Sequence, residues 1–143
     1  MTFFVDANVV LYSAVESEYR AACTSVLEAI IEGADGRTSP AVLEEVWHIE
    51  RSGRLGYLDG LAERAHRIFS PLLAVTDDAF GHALASDAPG VGTNDRLHVG
   101  TCAVHGIEAI VTADRGFDGV RGLRRVDPLD DAALRKLLAS ATS

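Results

Sequence analysis

Two short apolar runs, each closed by an aspartate, constrain this chain most: Phe3-Phe4-Val5-Asp6 near the start and Ala109-Ile110-Val111-Thr112-Ala113-Asp114 near the end. Both read as strands, and the stretches between them carry helical periodicity. Strands that alternate with helices build βαβ units and a mostly parallel sheet. In open sheets of that kind ligands bind beyond the carboxyl ends of the strands, where the chain order reverses. Asp6 and Asp114 stand at such ends, so their separation along the chain is no obstacle to proximity.

Between these strands, Leu11 to Val15 and Tyr19 to Ile31 read as helical. In the second stretch Tyr19, Cys23, Val26, Leu27, Ile30 and Ile31 recur at steps of three and four, and Gly33 follows as a stop. Arg37-Thr38-Ser39 is a short candidate strand. Pro40 suits the first turn of a helix that carries Val42, Leu43, Val46, Trp47 and Ile49 to about Ser52-Gly53. Asp59 to Phe69 forms another helix, Pro71 to Val75 is expected as a strand, and Thr76 caps a helix with Ala79, Phe80, Ala83 and Leu84. Ser86 to Gly92 is the clearest loop, and Thr93 or Asn94 caps the helix that His105-Gly106 ends. A last strand over Leu123 to Val126 and a helix over Asp130 to Ala139 complete the expectation. This is an α/β fold: a single domain over residues 1–143, with a mostly parallel central sheet of four to five strands flanked by helices.

With 143 residues, 48% of them hydrophobic, the chain can bury a real core without staples. No apolar run approaches the roughly 20 residues of a membrane span. The segment after Met1 reads as a strand and not as a signal peptide, so the expected location is cytoplasmic and no membrane partner is expected. Cys23 and Cys102 are read as buried, inert thiols rather than a disulfide. A formal net charge of −8 argues against a large non-specific nucleic-acid surface. It leaves room for an enzyme in which bound cations and local arginines attract phosphate. Lys136 is the lone lysine, and arginine suits bidentate phosphate recognition.

Each acid that bears on chemistry also has a structural reading. Asp6 stands at a strand end, or caps the next helix. Asn8 orients Asp6 or is itself the cap. Glu44 and Glu45 project about 100° apart on one helix, and Glu45 lies beside the Val42–Val46–Ile49 stripe while Glu44 leans toward solvent. Asp95 opens a helix, where the dipole favours an acid in any case. Asp114 follows a strand, Thr112 offers a hydroxyl nearby, and Asp118 is a further acid or a turn residue beside Gly116 and Gly119. Asp6, Glu45, Asp95 and Asp114 gathered in one pocket would repel, and the usual neutraliser is a hard divalent cation with oxygen ligands. None of the five histidines has zinc spacing, and none is assigned to a metal. P-loop, G-x-G-x-x-G and nucleophile-elbow signatures are missing.

Four segments taken in order resemble the PIN-domain ribonucleases, and within them the VapC-type toxins of prokaryotic toxin–antitoxin modules. They are Phe4-Val5-Asp6-Ala7-Asn8-Val9-Val10-Leu11, Ser39-Pro40-Ala41-Val42-Leu43-Glu44-Glu45-Val46, Asn94-Asp95-Arg96-Leu97-His98-Val99-Gly100 and Ile110-Val111-Thr112-Ala113-Asp114-Arg115-Gly116-Phe117. Leu123-Arg124-Arg125-Val126-Asp127-Pro128 is similar to the segment that trails them. The third departs from the family pattern, because Val99, Gly100 and Thr101 replace some of its alanines. The resemblance implies a single PIN-like nuclease domain, Mg²⁺ or Mn²⁺ held by Asp6, Asp95, Asp114 and Glu45, and hydrolysis of RNA by metal-activated water. It also implies a small antitoxin partner and a homodimer. Arg96 and Arg115, each beside a proposed ligand, are candidates for holding phosphate, with surface solvation as the favoured reading. The competing readings are a non-catalytic α/β binding module whose acids are only caps, and a phosphoryl-handling α/β domain. A receiver domain would need adjacent acids after the first strand and a late lysine, and a haloacid-dehalogenase-like phosphatase would need Asp-x-Asp where this chain has Asp6-Ala7-Asn8.

Overall fold

The computed structural model describes residues 1–142. Four parallel strands, β1 (Phe3–Val5), β2 (Gly36–Arg37), β3 (Ala109–Val111) and β4 (Arg124–Val126), pair in the order β2-β1-β3-β4. In the central pair Phe4 lies opposite Ile110 and Val5 opposite Val111. Every residue of β1 and β3 is fully enclosed, as expected of parallel strands covered on both faces. From β1 the chain runs outward to β2 on one side, and it later returns to build β3 and β4 on the other. The order therefore reverses between β1 and β3, and the crevice of the sheet opens beyond Val5 and Val111.

The helices are α1 (Ala7–Tyr12), α2 (Arg20–Ile31), α3 (Pro40–Ser52), α4 (Leu61–Phe69), α5 (Asp77–Ala85), α6 (Thr93–Val104) and α7 (Asp131–Ser140), with a 3-10 turn over Arg115–Gly119 before β4. Strand β1 passes straight into α1 because the Asp6 carboxylate accepts from the Ala7 N–H at 2.8 Å and caps the helix. As a result α1 begins before the expected Leu11 and ends at Tyr12. Strand β2 is shorter than expected and starts at Gly36, where a Cβ would come within 2.5 Å of the Ile30 side chain. Thr38, beyond its end, instead donates its hydroxyl to the Val5 carbonyl at 2.8 Å.

Pro71 to Val75 is not a strand. Leu73 donates one backbone hydrogen bond to the Thr38 carbonyl at 2.9 Å, and the pairing goes no further. The reason is local: Pro71 has no N–H, and β2 offers only two residues as a template. In α5 the inward residues are Ala79 and Ala83, whereas Phe80 and Leu84 are exposed, as is Trp47 on α3. Thr76 caps α5 by accepting from the Ala79 N–H. The cap residue of α6 is Gly92, one residue ahead of the expected Thr93 or Asn94. Helices α5 and α6 cross closely at Gly100, where a Cβ would lie 2.1 Å from the Ala79 carbonyl oxygen. Among the described residues no helix is long and apolar enough to cross a membrane.

Candidate active site

The floor of the crevice is a hydrogen-bonded knot joining β1 to β3. Asp6, 4% exposed, accepts from the Ala7 N–H on Oδ1 and from the Thr112 hydroxyl on Oδ2, each at 2.8 Å. Asn8 donates from Nδ2 to Thr112 Oγ1 at 2.8 Å and to Asp6 Oδ2 at 3.3 Å, while its Oδ1 accepts from the Ala113 N–H at 3.1 Å. Thr112 Oγ1 also accepts from the Asp114 N–H at 3.1 Å. Asp114 in turn accepts from the Gly116 N–H at 2.8 Å, which caps the 3-10 turn and holds its carboxylate at the mouth of the crevice.

Helices α3 and α6 supply the opposite wall. Glu45 accepts from the Asn94 amide on Oε1, and its Oε2 lies 3.1 Å from His98 Nε2. The His98 ring is fully enclosed, sits 5.6 Å from the Phe4 ring between centroids, and brings Nε2 to 3.9 Å from Asp6 Oδ1. Asn94 and His98 are four residues apart on α6 and so share one face. Asp95, between them in sequence, is half-buried.

The resulting cleft is lined by Asp6, Glu44, Glu45, Asp95 and Asp114 together with His48, and among the described residues no Lys or Arg lines it. Burial holds the Asp6 carboxyl above its ordinary value, against the opposing effects of His98 and of the Thr112 and Ala7 hydrogen bonds. Asp95 is pushed up to about 6 by burial and then by the charge on Asp6, and no hydrogen bond contributes to stabilising its charged form. Burial works against charging His98, but the Glu45 hydrogen bond and the charges of Asp6, Glu45 and Asp95 outweigh it, so its pKa is raised. The site thus concentrates negative charge that the protein itself leaves under-compensated. Such an arrangement can receive a hard cation through oxygen ligands.

A family model described as PIN domain matches residues 3–123. This chain belongs to the PIN-domain family. It therefore falls within a nuclease superfamily. The PIN domain is similar in fold to a chain in the structure of VapBC2 from Rickettsia felis bound to a DNA fragment from its promoter, with a TM-score of 0.69 at 13% identity over 89% of this chain and 98% of that chain. It is also similar to PAE2754 of Pyrobaculum aerophilum, with a TM-score of 0.63 at 18% identity over 97% of this chain and 96% of that one. Among curated protein sequences none matches significantly.

Of the acids expected to carry chemistry, Asp6, Glu45, Asp95 and Asp114 line the PIN-domain cleft, and Glu44 reaches its rim although exposed. Asn8 and Thr112 lie in the floor network. Asp118 lies elsewhere, because it pairs with Arg125 at 2.7 Å and braces the 3-10 turn against β4. The phosphate-binding expectation for Arg96 needs correction. Its guanidinium turns away from the cleft and donates to the carbonyls of Val91 at 2.9 Å, Ser86 at 2.6 Å and Ala88 at 3.4 Å, pinning the loop before α6. Arg115 is exposed and is not among the residues lining the cleft. Sequence reasoning missed His98 and Asn94. Asp6, Glu45 and His98 each present a ligand-capable atom within 4.8 Å of the others. The four-residue spacing of Asn94 and His98 was the available signal, and a search for zinc spacing does not detect it.

Proposed function

We propose that this PIN domain is a metal-dependent endoribonuclease and the toxin of a VapBC-like toxin–antitoxin pair. The observation that carries the reading is the cleft itself: the acids that follow β1 and β3 line it together with acids of α3 and α6. Asp6, Asp95, Asp114 and Glu45 are the residues that would hold Mg²⁺ or Mn²⁺. Their chemistry fits, since they are all carboxylates and the ionised forms of Asp6 and Asp95 are poorly stabilised by the protein. When bound, such a cation lowers the pKa of a water and offsets charge on the phosphate oxygens.

The chain's own groups do the remaining work. The Thr112–Asn8 network fixes Asp6 in one rotamer, so no reorganisation accompanies substrate arrival. Asp114 and Glu45, on opposite sides of the cleft, are placed to orient a water or accept its proton. RNA is the proposed substrate. A small antitoxin is the proposed partner by likeness to the VapBC2 complex, and a homodimer is the proposed assembly.

Incubation of a labelled RNA with Mg²⁺ or Mn²⁺, with and without chelator, tests the activity. Asp6→Asn and Asp95→Asn are expected to lower cleavage by at least about 100-fold with an unchanged circular dichroism spectrum. Cleavage that persists in chelator or in either variant would refute the reading. Thermal melting in rising Mn²⁺ separates it from a non-catalytic module, because only a true site gains stability from the ion.

A further inference from the structure

The position of His98 raises a question that the cleft carboxylates do not. Its Nε2 is near both Glu45 and Asp6, so by distance alone the ring could serve as a nitrogen ligand. Its Nδ1 is buried with no hydrogen-bond partner. A neutral imidazole has one N–H and one lone pair, and the partner of one nitrogen decides the state of the other. If Nε2 gave its lone pair to a cation, Nδ1 would carry the proton and bury an N–H without an acceptor. Metal-binding histidines almost always give that second N–H to a carboxylate, a carbonyl or a water. With the proton on Nε2 the ring donates to Glu45, and only a lone pair is left facing the core, which proteins tolerate better than an orphaned N–H.

We infer that His98 is a positioning residue: it donates from Nε2 to hold Glu45 toward the cleft, and it stays outside the coordination shell of the cation. The inference rests on the metal-binding reading proposed above. Asn94 completes the grip by donating to the other oxygen of Glu45, so α6 fixes the α3 carboxylate from two successive turns. Packing of the ring against Phe4 of β1 keeps it from swinging into the cleft. The ion would then meet oxygen only, which favours Mg²⁺ and Mn²⁺ over zinc.

Three measurements on the full chain test this. First, long-range ¹H–¹⁵N spectra of metal-free protein in mildly alkaline buffer are expected to show His98 as the Nε2–H tautomer; the Nδ1–H tautomer would overturn the inference, whether or not the protein binds metal. Second, electron spin echo spectra of Mn²⁺-loaded protein are expected to lack a directly coordinated nitrogen, and a strongly coupled imidazole nitrogen would overturn it. Third, His98→Leu is expected to weaken Mn²⁺ binding by about 10- to 100-fold. His98→Gln, whose amide nitrogen can replace the Nε2 donor, is expected to restore affinity to within about threefold of the parent, since the hydrogen bond is kept. Parent-like affinity in the leucine variant, or no rescue by a folded glutamine variant, would contradict the positioning role. Failure of the parent protein to bind Mn²⁺ would instead defeat the nuclease reading and leave the tautomer as the deciding result.

Discussion

The single hydroxyl of Thr112 has one proton to give and two lone pairs to offer, and the cleft floor uses all three: it donates to Asp6 and accepts from Asn8 and from the Asp114 backbone. One residue thereby ties two of the cleft acids, Asp6 and Asp114, to a common anchor. Asp95 is the opposite case, an acid with its neighbours' charges and no donor, held at about 6 against an ordinary 3.8. The raised value means that the metal-free folded chain binds more protons than the unfolded chain between these limits. The Asp95 contribution to stability is therefore present below pH 3.8 and lost as pH rises through about 6. Metal ions require the ionised form, so stabilisation by Mn²⁺ is expected to grow across the same window. Melting curves with and without Mn²⁺ should diverge as pH rises, and Asp95→Asn should flatten both trends; a parallel pair of curves for the parent protein would contradict the assignment. At this scale Asp6 and Asp114 were readable because a strand end is a topological address. Helix phase singled out Glu45, although Glu44 also reaches the rim of the cleft. His98 was not readable, since its meaning depends on the distance between α3 and α6, which no local pattern encodes.

Helix α6 carries Asn94, Asp95 and His98, and its position depends on how closely it approaches α5. Gly100 permits that approach, with the Ala79 carbonyl where a methyl group would otherwise be. Gly100→Ala gains up to about 1 kcal/mol of helix propensity, but pressing a Cβ against backbone forces the helices apart at a cost of typically about 1–3 kcal/mol. Lower stability in urea is expected, together with weaker Mn²⁺ binding as Asn94, Asp95 and His98 shift; an unchanged midpoint would show that the crossing can relax. The replacement of alanines in this segment was visible in the sequence, whereas the contact that requires Gly100 was not. A related limit explains the missing strand over Pro71 to Val75. Its apolar composition suits a strand, yet strand formation needs a partner edge, and β2 ends after Arg37. On α5 the close α5–α6 packing encloses Ala79 and Ala83 and leaves Phe80 and Leu84 outside.

Across the whole molecule, the order β2-β1-β3-β4 brings the beginning and end of the chain to one crevice, and this was legible from the alternation of strands and helices alone. Assembly was not legible, because apolar side chains left outside, such as Trp47, Phe80 and Leu84, become visible only once the core is closed. Light scattering checks the proposed homodimer, for which twice the 15.2 kDa of one chain is the expected mass. That no arginine or lysine among the described residues lines the cleft has a kinetic consequence when set beside the net charge of −8. Proteins that grip nucleic acid through basic side chains release counterions, so they bind less well as ionic strength rises. On the proposed function an anionic protein would meet a polyanion, and the long-range force between them would be repulsive and screened over about 10 Å at 0.1 M salt. At constant Mn²⁺, moderate potassium chloride is expected to speed RNA capture and raise kcat/KM, the reverse of the usual dependence.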